Sequence, residues 1–267
     1  MKTIFLKEFK DNKKSFMIWL ISVVIYNIFV MSAYPTVAKQ ASQLDVLLKN
    51  YPTAMIKAFN LDKLRLSNVL DYFGIESYLI ITLVGSMFAM IFASTILSKE
   101  EKERSIEFLL SKPVKRSEIV TAKLLCVLIY VFLFDLIFAM VNYVSMHVVK
   151  QGNFDIKVFL LLSVGPFLMH LTFASIGFMI SVILPKVKSM VSFSIGIIFT
   201  MYFLELISDL TDKLKDLRYF TPFKYVDAAE LIFNKRIETV YLSIMFTVIL
   251  LSIGVSYLIY QKRDILI

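Results

Sequence analysis

Three ionisable residues, Asp135, His170 and Glu205, stand inside long apolar runs of a 267-residue chain. Groups of that kind carry protons, hold cations or line polar paths where water is scarce. Near the centre of a bilayer an ionisable side chain costs about 2.5–3.5 kcal/mol on insertion scales, so it faces protein or water rather than lipid. Asp135 and His170 lie on either side of a short connection centred near Asn153, almost equally far from it. A helix rises about 1.5 Å per residue, so a hairpin there sets the two at nearly one depth. A second hairpin about Val187 brings Glu205 close to the depth of His170. The expectation is a polar layer of Asp135, His170 and Glu205 in the outer half of a bundle. It would line a substrate path or latch a conformation, or else its members satisfy one another and nearby Asn27, Asn142 and serines. Val164-Gly165-Pro166 is expected to interrupt the helix just before His170 and to turn freed carbonyls toward the same layer.

The elements that must position these groups are membrane helices. The chain is 58% hydrophobic, with 24 Phe but only 7 Gly and 6 Pro, and its mean hydropathy is +0.74. A spanning helix needs about 20 mostly apolar residues. Six windows qualify, roughly Phe16 to Val37, Ser77 to Ser98, Ile119 to Val149, Lys157 to Leu184, Met190 to Ser208 and Thr239 to Tyr260. They are too long and unbroken for alternating β-strands, so the fold class is an all-α membrane protein with a bundle of six transmembrane helices. The first run lacks a small-residue cleavage site and is kept as an anchor. Residues 1–267 are read as one membrane domain.

Other chemistry is excluded by the inventory. One cysteine, Cys126, and two histidines, His147 and His170, leave no spacing for a zinc site or a disulfide framework. There is no G-x-x-x-x-G-K-[ST] loop to cradle a nucleotide, no H-E-x-x-H and no G-x-S-x-G. The chain is therefore expected to have no catalytic, metal or cofactor site of its own. The net charge of +8 sits at membrane boundaries, where anionic lipid accounts for it and no nucleic acid is needed.

Lys and Arg are densest in the N-terminal segment, in 99–118, in 185–189 and in the C-terminal tail, which places both termini in the cytoplasm. Residues 1–15 alternate lysines with Ile4, Phe5, Leu6 and Phe9, the pattern of an elbow helix lying in the headgroup plane. The stretch 209–238, with Phe220, Phe223, Tyr225, Leu231, Ile232 and Phe233, is amphipathic enough to dip back into the bilayer from outside. Between the second and third runs lies a charged island, Lys99 to Lys123, with Ile106, Leu109 and Leu110 at helical spacing. It reads as a docking helix ended by Pro113, with Ser117 and Glu118 capping the third span.

Within that island Glu103, Ser105, Glu107, Leu109-Leu110-Ser111, Pro113, Arg116, Ile119 and Lys123 together resemble the E-x-G-T-x-E-x-LLS-x-P-x-x-R-x-x-I-x-x-x-K stretch of type-2 export permeases of ATP-binding cassette (ABC) transporters. Arg104-Ser105 departs from the Gly-Thr common there, and Ser105 keeps the hydroxyl. The basic N-terminal elbow, Thr221-Pro222-Phe223-Lys224-Tyr225 and the terminal Lys262-Arg263-Asp264-Ile265 extend the resemblance over nearly the whole chain. It implies that 99–117 is a cytoplasmic coupling helix, with Glu103, Ser105, Glu107, Leu109, Leu110, Pro113 and Arg116 meeting an ABC ATPase subunit that handles ATP and Mg. It further implies pairing with a second permease, identical or related, and export of an amphipathic or hydrophobic substrate such as an antimicrobial peptide, drug or lipid. The Lys, Ile, Asn and Phe bias suggests an AT-rich bacterial genome, hence a bacterial plasma membrane. Two other readings of the same residues are an ion-coupled carrier with an Asp135/His170 relay and a nucleotide-independent membrane immunity factor.

Overall fold

The computed structural model describes residues 1–48, 56, 61, 63–97, 99, 114–150, 153–184, 189–210 and 212–262. Among these every regular element is helical, and six helices are long and apolar enough to cross a membrane. The first span belongs to a helix over Lys2–Leu48; the second covers Tyr78–Ile96 and the third Arg116–Val149. The fourth covers Ile156–Ile183, the fifth Met190–Leu210 and the sixth Thr239–Lys262. The six-span all-α bundle expected from hydropathy is the architecture observed.

Local chemistry moves some boundaries from where the pattern puts them. The elbow expected over residues 1–15 is continuous with the first span, because nothing between Asp11 and Phe16 breaks a helix and Pro35 lies well beyond. The third span starts at Arg116 rather than after Ser117: the Glu118 carboxylate accepts the Lys115 N–H at 3.0 Å, so the cap falls on Lys115. The fourth span passes through Val164-Gly165-Pro166 without interruption. Pro166 forfeits one backbone bond, to the Leu162 carbonyl, while Gly165 lets the Tyr78 hydroxyl, Val226 and Leu231 come within 3.2 Å of where a Cβ would stand. Tertiary packing carries the helix past the proline.

The second and fourth spans form the centre. More than half of each apolar window is buried, against less than a fifth for the fifth and sixth spans. Small residues recur at helical spacing on both buried faces, Gly85, Ala89 and Ala93 on the second and Ala174, Gly177 and Ser181 on the fourth. Such residues let backbones approach, and in lipid that approach is the main source of helix association. A Cβ on Gly177 would stand 2.6 Å from the Met90 carbonyl oxygen, and one on Gly85 would enter the His170 ring. The first and third spans run side by side, with the Tyr130 hydroxyl donating to the Phe9 carbonyl and its ring 4.8 Å from that of Phe16.

Beyond the spans, a short helix over Val69–Glu76 is capped by Asn68, whose Oδ1 accepts the Leu70 N–H at 2.9 Å. Tyr34 and Tyr72 hydroxyls tie this piece to the first helix, through the Ser67 carbonyl at 2.8 Å and the Val30 carbonyl at 3.0 Å. After the fifth span a 3-10 turn over Asp212–Phe220 leads into Pro222–Tyr225 and Ala228–Asn234. This return segment folds back along the bundle. Thr221 donates to the Met201 carbonyl inside the fifth span at 2.8 Å, and Phe223 packs 5.5 Å from Phe173 of the fourth. Phe223, Tyr225 and Leu231 are buried, whereas Phe220 and Phe233 remain exposed.

The glycine contacts define a controlled comparison. Gly177→Ala forces the two central backbones apart and should destabilise the bundle by about 1–3 kcal/mol. Gly254→Ala, on a face with nothing within 4 Å, should leave thermal unfolding in detergent unchanged or slightly raised, because alanine is the better helix former. Equal melting temperatures for the two variants would contradict the packing described.

Candidate functional site

The polar groups of the bundle gather at three levels. At the end that carries the 98–113 stretch, the side chain of Lys123 is wholly buried. Its ammonium lies 3.2 Å from Glu8 and donates to the Ile96 carbonyl. That carbonyl belongs to the last turn of the second span, where helix carbonyls have no partner of their own and a cation is favoured. Asn12 reinforces Glu8 with a 3.2 Å bond. One lysine thus ties the first, second and third helices together at the point where the chain leaves the second and enters the third. Arg116 adds a 3.2 Å bond to the Gln261 carbonyl near the end of the sixth span. The other residues assigned to the coupling segment, Glu103, Ser105, Glu107, Leu109, Leu110 and Pro113, lie outside the described residues.

At the middle level Asp135 of the third span and His170 of the fourth meet directly. Nδ1 of His170 stands 2.9 and 3.0 Å from the two carboxylate oxygens. A carboxylate there requires Nδ1 to carry the proton, which leaves Nε2 as the free ring position. Nε2 is buried without a hydrogen-bond partner among the described residues, and the ring rests on Gly85.

Glu205 does not join that pair. Equal depth along two helices leaves their rotation free, and the fifth span packs on the second span and the return segment. Glu205 instead faces Asp209 and Asp227, one carboxylate oxygen of each lying within 4.8 Å of the others. Lys224 answers part of this charge, 2.8 Å from Asp209 and 3.9 Å from Asp227. Burial pulls the Lys224 ammonium down, but Asp227 and Asp209 more than offset it and hold it above the usual lysine range. Glu205 and Asp227 edge a cavity of about 60 Å³ that Tyr78, Thr82, Tyr202 and Phe223 also line. Tyr78 reaches from the second span to the return segment, its hydroxyl donating to the Val226 carbonyl at 2.7 Å.

Several of these partners escape a reading of the spans alone. Glu8 is an acid on the apolar stripe of Ile4, Phe5 and Phe9, a misfit that flags a buried partner. Gly85, Ala89 and Ala93 repeat every fourth residue, which marks a close helix contact. Lys224, Asp209 and Asp227 carry no comparable pattern, since their meeting depends on the path of the return segment.

Replacing His170 by Ala would leave Asp135 buried and unpaired, a loss of about 3–5 kcal/mol. The double variant Asp135→Leu/His170→Leu should regain most of it in thermal unfolding of the detergent-solubilised protein. A single variant as stable as wild type would show that the pair is not a structural tie.

The sequence model for ABC-2 family transporter proteins matches residues 2–265, and no curated protein matches the chain. The match takes in all six spans, the Glu8–Lys123 tie, the Asp135–His170 pair and the return segment, and on it the chain belongs to the ABC-2 family of transporter proteins.

Proposed function

We propose that this chain is the membrane half of an ATP-driven exporter. It works with separate ABC ATPase subunits and a second permease, the same chain or a related one, in a bacterial plasma membrane with both termini in the cytoplasm. Its cargo is an amphipathic or hydrophobic molecule, such as an antimicrobial peptide, drug or lipid, taken outward from the bilayer. ATP and Mg belong to the partner subunit.

The observation that carries this reading is the pair of anchors around the 98–113 stretch. Lys123 holds Glu8 of the first helix and Ile96 at the end of the second span, and Arg116 holds Gln261 in the sixth. A push on the stretch between them is therefore delivered to four helices as a rigid-body movement, which a slack loop would absorb. The docking residues are Glu103, Ser105, Glu107, Leu109, Leu110, Pro113 and Arg116. The polar levels above, Asp135 with His170 and then Glu205, line the path that the movement opens. The Asp135–His170 pair also suits a proton relay in an ion-coupled carrier, and dependence on an ATPase separates the two readings.

A tagged wild-type protein should retain an ABC ATPase when purified from its native membranes in mild detergent, and Glu107→Ala/Leu109→Ala/Leu110→Ala should lose it. Recovery of intact, folded protein with no ATPase would overturn the reading. Lys123→Met should behave differently, keeping the ATPase bound while lowering substrate-stimulated ATP hydrolysis by about tenfold or more, since it severs transmission but not docking. Full stimulation in that variant would remove Lys123 from the coupling route.

A further inference from the structure

We propose that the cavity between the second and fifth spans is a receptor for an organic ammonium group, the cationic head of the exported amphiphile. The identification with cargo rests on the exporter reading; the binding itself rests on the cavity.

The walls combine the three features that an ammonium requires. The rings of Tyr78, Tyr202 and Phe223 line the space, with Tyr202 and Phe223 centroids 5.7 Å apart and nearly edge-on. Aromatic faces attract a desolvated cation through the ring quadrupole. Thr82 gives its hydroxyl hydrogen to the Tyr78 carbonyl at 2.8 Å, so its oxygen lone pairs remain for an incoming donor. The carboxylates of Glu205 and Asp227 supply charge. Asp227 accepts the Glu230 N–H at 2.9 Å through one oxygen and stands 3.9 Å from Lys224 through the other. The Glu205 carboxylate has no hydrogen bond or ion pair among the described residues.

Charge and size narrow the class of ligand. Three carboxylates converge within 4.8 Å and a single lysine, held 2.8 Å from Asp209, neutralises part of them, so the cavity side stays negative and repels an anion. Asp209 and Asp227 alone outnumber Lys224, so a neutral group would leave their excess charge unanswered. A hard divalent ion takes six or more oxygen ligands or keeps its water, and the Lys224 ammonium already occupies the flank where Asp209 would have to serve such an ion. A volume of about 60 Å³ corresponds to roughly two waters, which fits a terminal methylene and its ammonium but not a whole amphiphile. Ile75 and Leu79 at the rim offer an apolar exit for the attached chain.

The test uses the purified permease in nanodiscs of zwitterionic lipid, without any ATPase, titrated calorimetrically with hexylammonium, hexanol and hexanoate. Hexylammonium should bind about tenfold or more tightly than either isostere, and Glu205→Gln should weaken it by about tenfold. Equal binding of hexanol, binding unchanged by Glu205→Gln, or uptake matching empty nanodiscs would each overturn the proposal. A readout on the wild type guards against a misfolded variant: labelling of Glu205 by a diazoacetamide, which esterifies carboxyls without coupling them to amines, followed by mass spectrometry, should be slowed by hexylammonium and not by hexanol. Equal labelling at saturating hexylammonium would overturn it as well. Because no ATPase takes part, failure of the pull-down and failure of this binding are separate results.

Discussion

Two apolar helices gain nothing in lipid by hiding from water, so a membrane bundle is held by how closely its backbones can approach and by what its polar groups find across the gap. Here the approach is that of the second and fourth spans. Gly177 admits the Met90 carbonyl, and Gly85 admits an imidazole. The remaining spans are arranged around that contact, the first and third side by side, the fifth on the second and the sixth on the fourth. The same narrow gap explains why His170 can be fully buried: the ring takes the volume that a Cβ on the neighbouring helix would fill.

The polar groups then work as ties at three depths. Lys123 with Glu8 and Ile96, Asp135 with His170, and Lys224 with Asp209 each cross from one helix to another element. In a medium of low dielectric a buried charge without a partner is far costlier than a paired one, so each tie fixes the rotation as well as the separation of its helices. The lowest ties the segments that flank the charged island, and the highest anchors the return segment over the fifth span. A displacement at one end therefore reaches the other through elements whose relative rotation is pinned.

Length, spans and the common depth of Asp135 and His170 are legible in the sequence, because hydropathy and the rise per residue are properties of single helices. Azimuth is not. Spacing alone puts Glu205 at the depth of His170, yet it stands with Asp209 and Asp227, since its direction depends on which elements the fifth span meets. The proline in the fourth span misleads for a related reason: the pattern counts a lost backbone bond but not the contacts of Gly165 with Tyr78, Val226 and Leu231 that replace it. Helix continuity through residues 1–15 is local chemistry that the contrast between basic and apolar residues hides. Glu8 and the small-residue stripe of Gly85, Ala89 and Ala93 are readable in the sequence, whereas the meeting of Lys224, Asp209 and Asp227 arises only once the return segment is in place.

The wide sequence separation of these ties also bears on how the protein comes to be built. Tyr130 reaches the Phe9 carbonyl across 121 residues, and Tyr78 reaches that of Val226 across 148. During synthesis the N-terminal helix must wait with Glu8 answered only by Asn12 of its own turn until Lys123 has emerged, so its final seating belongs to the arrival of the third span. The second span in turn keeps an open hydroxyl in its first turn until the return segment is made. Assembly thus runs in two closures, one at each end of the bundle, and a chain cut short before Thr221 would leave the second undone.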